Sequence, residues 1–134
     1  MDVRLTLGKV EIMTLHDVVV LLEAEVLTGQ DSLDMEVKTA FSADLMSDVL
    51  SFGKRGSLLL TRITSPQVIR TSDILDLAAV VLVRGKVPPP EVIQLAEELR
   101  IPVMMTRYVP FEATGRLYEK GLRSPVGQVD PCGT

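Results

Sequence analysis

Tryptophan is missing from this chain, and aromatic residues together fill only 4% of its 134 positions. The interior must therefore be closed with Leu, Val, Ile and Met. There is one cysteine, Cys132, which excludes an internal disulfide and fits a reducing compartment. Cytoplasm is the expected location. There is also one histidine, His16. One His and one Cys fall short of a zinc site, and a Ser-His-Asp triad would have to be built on a ring at a helix start. No Gly-x-Ser-x-Gly elbow is present to carry a nucleophile. The chain also lacks Gly-x-x-x-x-Gly-Lys-Ser/Thr and a Gly-x-Gly-x-x-Gly after a strand, so neither a phosphate loop nor a dinucleotide fingerprint is available. No apolar run reaches bilayer length. The first residues, MDVRLTLGKVEI, alternate apolar and polar instead of forming a basic region and an apolar core, which argues against a signal peptide. A net charge of −4 gives no general attraction to nucleic acid or anionic membrane. No catalytic residue, metal site or cofactor is read from the sequence.

What is present is a globular composition, 46% hydrophobic and 24% charged, long enough for one domain with its own core. The domain is expected over residues 1–123, with 124–134 a short flexible tail rich in Gly and Pro. Val3, Leu5 and Leu7 alternate with polar residues, as in a short strand. Thr14-Leu15-His16-Asp17 resembles a capping box, with Asp17 in the place of Glu, and opens a helix through the β-branched run Val18 to Ala24. Glu25 to Thr28 reads as a strand stopped by Gly29, Gln30 to Asp34 as a turn, and Val37 to Phe41 as another strand. Ser42 is placed to cap a helix carrying Leu45, Met46, Val49 and Leu50, which ends at Gly53.

The second half repeats one unit. Leu58–Arg62 precedes Pro66, Val80–Arg84 precedes Pro88, and Val103–Arg107 precedes Pro110. In each unit an apolar run ends in arginine and a proline then opens a helix. Along the second helix Val92, Leu95, Ala96 and Leu99 share a face, and along the third Phe111, Leu117 and Tyr118 do. Strand–helix alternation with short connections predicts an α/β fold, a single three-layer α/β/α domain with a mostly parallel sheet. The carboxyl ends of the strands then share one edge, where open α/β sheets bind ligands.

Three arginines at that edge suit a small anion, because guanidinium gives bidentate contacts and helix amino termini favour negative charge. The candidate ligand-binding residues are Arg62, Arg84 and Arg107, with Thr61 and Thr106 as hydroxyl donors, the Ser65 loop supplying backbone N–H groups and Gly85 allowing close approach. The competing reading pairs these arginines with Asp44 and Asp48. The acidic residues Asp31, Asp34, Glu36, Asp44 and Asp48 lack the spacing of a Ca²⁺ hand and read best as a turn and a solvated helix face. A metal-dependent enzyme using Asp31, Asp34 and Asp44 is the remaining catalytic alternative.

Val26 to Gly29, Ser32 to Val37, Ser42 to Leu50, Pro66 to Thr71, Val83 to Lys86 and Phe111 to Ala113 together resemble the stand-alone DRTGG-domain proteins, across roughly residues 10–122. That family is similar in fold to the amino-terminal domain of HPr kinase/phosphorylase. Related domains sit between CBS domains of regulated pyrophosphatases and in some phosphotransacetylases, where they regulate or assemble subunits. The naming motif is altered here. Thr61-Arg62-Ile63-Thr64 stands where Thr-Gly-Asp-Arg would follow a strand, and Val83-Arg84-Gly85-Lys86 where Thr-Gly-Gly would follow the next. The resemblance implies a non-catalytic regulatory module forming a homodimer and sensing a small anionic ligand or nucleotide. The alternative is a docking module for a partner enzyme or kinase that binds no metabolite.

Overall fold

Leu58, Leu59 and Leu60 are consecutive and all fully buried, yet they belong to opposite sides of the molecule. Successive side chains on a strand point to opposite faces, so a run buried throughout needs cover on both. Leu58 and Leu60 pack with Leu15, Val18 and Leu22, whereas Leu59 packs with Val49, Val68 and Val92. The same alternation divides Val81 from Val80 and Met104 from Val103. Each such side chain contributes about 1.5–3 kcal/mol on leaving water.

The structure, a computed structural model, describes residues 12–131. The expected strand on Val3, Leu5 and Leu7 and the cysteine Cys132 lie outside these residues. In chain order the elements are β1 Met13–Thr14, α1 Leu15–Leu22, β2 Glu25–Thr28, a 3₁₀ turn Gln30–Ser32, β3 Glu36–Val37, β4 Thr39–Ser42, α2 Met46–Phe52, β5 Ser57–Thr61, α3 Pro66–Leu75, β6 Ala79–Leu82, α4 Pro90–Leu99, β7 Val103–Met105 and α5 Pro110–Glu119. The main sheet has the order β2-β7-β6-β5-β4. β4, β5, β6 and β7 are parallel, and β2 joins antiparallel at the β7 edge. β1 and β3 form a separate antiparallel pair. Helices α1 and α5 contribute to one hydrophobic cluster and α2, α3 and α4 to the other, which gives the expected three layers.

Local chemistry explains the element ends. Thr14 and Asp17 form the reciprocal capping box, which holds α1 helical despite its β-branched run. Thr28 is buried; its hydroxyl donates to the Ile101 carbonyl at 2.7 Å and accepts from Val103 N–H at 2.9 Å, bridging the register shift between β2 and β7. Gly29 has φ 82°, and a Cβ there would lie 2.7 Å from the Pro102 Cβ.

Four expectations shift. The strand expected over Val37 to Phe41 is divided at Lys38 into β3, which pairs with β1, and β4, which joins the main sheet. Ser42 belongs to β4 instead of capping a helix; α2 starts at Met46 with Leu45 at its N-cap and no side-chain cap bond. The second helix opens at Pro90, two residues past Pro88. On α5 the buried face is Ala113 and Leu117, while Phe111 and Tyr118 are exposed.

Candidate functional site

Because β5, β6 and β7 are parallel and adjacent, the residues that follow them emerge at one edge of the sheet. The backbone continues to pair past the strand ends. Val83 N–H donates to the Thr61 carbonyl at 3.1 Å, Thr106 N–H to Leu82 at 2.8 Å, Gly85 N–H to Thr106 at 2.8 Å and Arg84 N–H to Tyr108 at 2.9 Å. The loops at this edge are therefore fixed to one another before any ligand arrives.

Two of the arginines are presented by the same device. The Thr61 hydroxyl accepts Ile63 N–H at 3.0 Å, and the Thr106 hydroxyl accepts Tyr108 N–H at 3.2 Å. Each threonine thus turns the chain about the arginine that follows it, Arg62 or Arg107, and both arginines are exposed. The hydroxyl protons are already committed, that of Thr61 to Asp44 at 3.4 Å and that of Thr106 to the Leu22 carbonyl at 2.6 Å. Both threonines are buried. They position arginines instead of offering donors to a ligand.

Arg84 is presented differently. Lys86 N–H donates to the Val83 carbonyl at 3.3 Å, and the two residues between have φ 62° and 68°. Positive φ at both central positions marks a type I′ turn, in which Asn or Gly ordinarily precedes Gly. The other non-glycine residues with positive φ among those described, Glu23, Asp76 and Arg100, each occupy a helix C-cap, where that conformation is common. Arg84 has no such reason. A left-handed residue with a Cβ costs about 1–2 kcal/mol, and this one carries an exposed arginine.

Asp44, just beyond β4, organises the first arginine. Its carboxylate accepts Arg62 N–H at 2.9 Å through one oxygen and Arg62 Nε at 2.8 Å through the other. Burial pushes this carboxyl up, but the bonds from the Arg62 backbone and side chain, its positive charge and the Thr61 hydroxyl outweigh that and hold it below its ordinary value. The pairing of a rim arginine with Asp44 is therefore real. It engages the Arg62 side chain through Nε.

Arg62, Ile63, Arg84, Lys86 and Asp44 line one shallow hollow of about 200 Å³. Three cations meet there against one carboxylate, on a chain whose net charge is −4. Among the described residues, Arg84, Lys86 and Arg107 have no ion pair. Arg107 stands outside the lining; its Cγ lies 4.0 Å from where a Gly85 Cβ would be, so it runs past the bare backbone of Gly85. Ser65 is the exposed N-cap residue of α3, makes no side-chain cap bond and does not line the hollow. Sequence reasoning missed Lys86 as a site residue. Its signal was position, two residues past Arg84 in a turn that folds both side chains to one edge.

The acidic residues do not assemble. Among the described residues no group of three His, Cys, Asp or Glu side chains is placed to hold a metal ion. Asp44 is engaged by Arg62 at the carboxyl edge, while Asp31 and Asp34 belong to the turn region between β2 and β3. This removes the geometric basis of a metal-dependent enzyme built on Asp31, Asp34 and Asp44. No described helix is long and apolar enough to cross a membrane.

The family model described as the DRTGG domain matches residues 17–119. A solved structure of the CBS and DRTGG domains of the regulatory region of Clostridium perfringens pyrophosphatase, complexed with the activator diadenosine tetraphosphate, is similar with a TM-score of 0.66 at 19% identity. The likeness covers 78% of this chain and 46% of that one, so the chain spans about half the length of its structural neighbour. At this identity the likeness is one of fold. No curated protein matches the chain.

Proposed function

This chain belongs to the DRTGG-domain family, and from that premise we propose that it is a non-catalytic regulatory module that senses a small anionic ligand, of the nucleotide or polyphosphate class, at the carboxyl edge of its sheet. The observation that carries this reading is the hollow shared by Arg62, Arg84 and Lys86. Arg62 is aimed by Asp44, and Arg84 is held by a turn in which its own backbone is unfavourable. Strain that persists at an exposed position, with no gain in packing, points to a use for the side chain. The regulatory region of the pyrophosphatase, which carries the same kind of domain, binds diadenosine tetraphosphate, and that supports a nucleotide as the ligand class here.

The hollow is shallow and open to solvent. Three charge-assisted contacts of about 1.5–3 kcal/mol each give at most about 9 kcal/mol; after about 4 kcal/mol or more for immobilising a ligand, the dissociation constant should be no tighter than about 0.2 mM. Screening should weaken it further as salt rises.

A thermal-shift series with inorganic phosphate, pyrophosphate, AMP, ATP, diadenosine tetraphosphate and a dicarboxylate tests the reading. Stabilisation that grows with ligand concentration and with phosphate number supports it. Silence across the series removes it and favours a docking role for the same edge. That second reading has its own observation: Val87, Val109 and Phe111, in the loops and first helical turn beside the arginines, are strongly exposed, as at an interface for an acidic partner. Self-association as a homodimer is part of the proposal, and analytical ultracentrifugation reads it directly.

A further inference from the structure

A second cleft, larger than the arginine hollow, lies on the flank of the sheet. β4 is the edge strand there, α5 forms one wall, and the segment after α5 forms the other. The Ala40 N–H donates outward to the Arg123 carbonyl at 2.9 Å, tying the start of that segment to β4. Beyond it the chain turns on Ser124, whose hydroxyl donates to the Val126 carbonyl at 2.7 Å and accepts Val126 N–H at 3.2 Å. Residues as far as Val129 then close the far side. The half-open cleft has a volume of about 520 Å³, within the range of about 300–1,000 Å³ typical of small-molecule sites.

Its lining is mostly apolar, with a single charge. Phe41, Phe52, Leu60, Leu117 and Leu122 make the interior, and Arg123 is the single charged residue among those that line it. That guanidinium is held in place. It lies 3.9 Å from the centroid of the Tyr118 ring, and its Nη1 donates to the Tyr118 carbonyl at 3.0 Å and the Leu122 carbonyl at 3.2 Å. Nη2 and Nε have no partner among the described residues. An arginine fixed by stacking and two carbonyls, with donors left over at the rim of an apolar cleft, is preorganised for an anionic head whose body is apolar.

We propose that this cleft binds a small amphipathic carboxylate, with its hydrocarbon between β4, α5 and the segment 124–129 and its carboxylate on Arg123. The site is separate from the arginine edge, and its fate does not depend on the function proposed there. An apolar body gains by leaving water against Phe52, Tyr118 and Val126, which line the cleft with part of their surface exposed, and no carboxylate lines the cleft to repel the head.

Decanoate is a suitable probe, with decanol as its neutral counterpart. Calorimetric titration of the full chain should show saturable one-to-one binding of decanoate, with decanol bound more weakly. Arg123→Gln, at an exposed position that leaves the core intact, should weaken decanoate about tenfold and decanol hardly at all. Ser42→Phe, which fills the cleft from exposed β4, should abolish binding of both while circular dichroism stays unchanged. Amide exchange at residues 124–131 should slow when decanoate is present. No saturable binding, equal affinity for decanoate and decanol, or unaltered affinity in Arg123→Gln would each overturn the proposal.

Discussion

The N–H of Arg84 donates to the carbonyl of Tyr108 at 2.9 Å, which locks an arginine at φ 62° between two strand ends. Glycine would meet the same bond without the steric cost. Relief of about 1–2 kcal/mol of left-handed strain, less about 0.5–1 kcal/mol for the greater chain entropy of glycine, leaves Arg84→Gly as stable as the natural chain or more so, by up to about 1.5 kcal/mol. The same change should weaken pyrophosphate binding about tenfold. Urea unfolding and calorimetric titration of one preparation read both quantities. A variant that loses stability would show that the turn is not strained.

Asp44 links stability to pH in a definite direction. Its folded-state value lies below the ordinary 3.8, so its contribution is present above that pH and is lost as pH falls through the folded value. Thermal midpoints followed from pH 6 downward should therefore drop more steeply below about pH 4 in the natural chain than in Asp44→Asn. Near neutral pH the asparagine variant should bind pyrophosphate less tightly, because Arg62 loses the carboxylate that aims it. Parallel pH curves for the two proteins would remove Asp44 from this role.

Thr106→Val separates positioning from ligand contact. It leaves the Leu22 carbonyl without its 2.6 Å donor in a fully buried setting, a loss of about 1–3 kcal/mol. Chemical denaturation should register that loss. Pyrophosphate affinity at a temperature where the variant is folded should change by less than about threefold, since the hydroxyl proton faces the core and Arg107, the arginine that Thr106 positions, stands outside the hollow.

Gly29→Ala tests the packing of the β2 turn. Its Cβ would sit 2.7 Å from the Pro102 Cβ and 2.9 Å from its Cα, at φ 82°. Strain and overlap together should lower stability by about 2–4 kcal/mol, measured as a fall in the urea midpoint with an unchanged slope.

The layers were legible in the sequence because periodicity reports burial directly. Runs such as Leu58–Leu60 and Val80–Leu82, apolar without alternation and separated by helical patterns, need a covered parallel sheet. The α1 helix was legible through its capping box, although propensity alone favoured a strand. Ser42 misled because its N-cap preference is local, whereas the pairing of Ser42 with Leu60 keeps it in β4. The proline at 88 misled for a similar reason, since three successive prolines each suit an opening and only packing selects Pro90. Phe111 and Tyr118 misled by one step of helical phase, which Ala113 and Leu117 set against the sheet.

At the edge, the grouping of Arg62 with Arg84 followed from parallel register alone. The roles of the threonines did not, because the partner of Thr106 is Leu22, 84 positions away in the chain. Nor did the conformation of Arg84, which is imposed by bonds from Gly85 to Thr106 and from Arg84 to Tyr108.

The most direct measurement is a two-dimensional amide NMR titration of the full chain with pyrophosphate at low ionic strength. An anion site at this edge requires saturable shifts at Ile63, Arg84, Gly85 and Lys86, lost together in Arg62→Ala/Arg84→Ala and reduced by added salt. Shifts confined to other surfaces, or none at millimolar pyrophosphate, would contradict it.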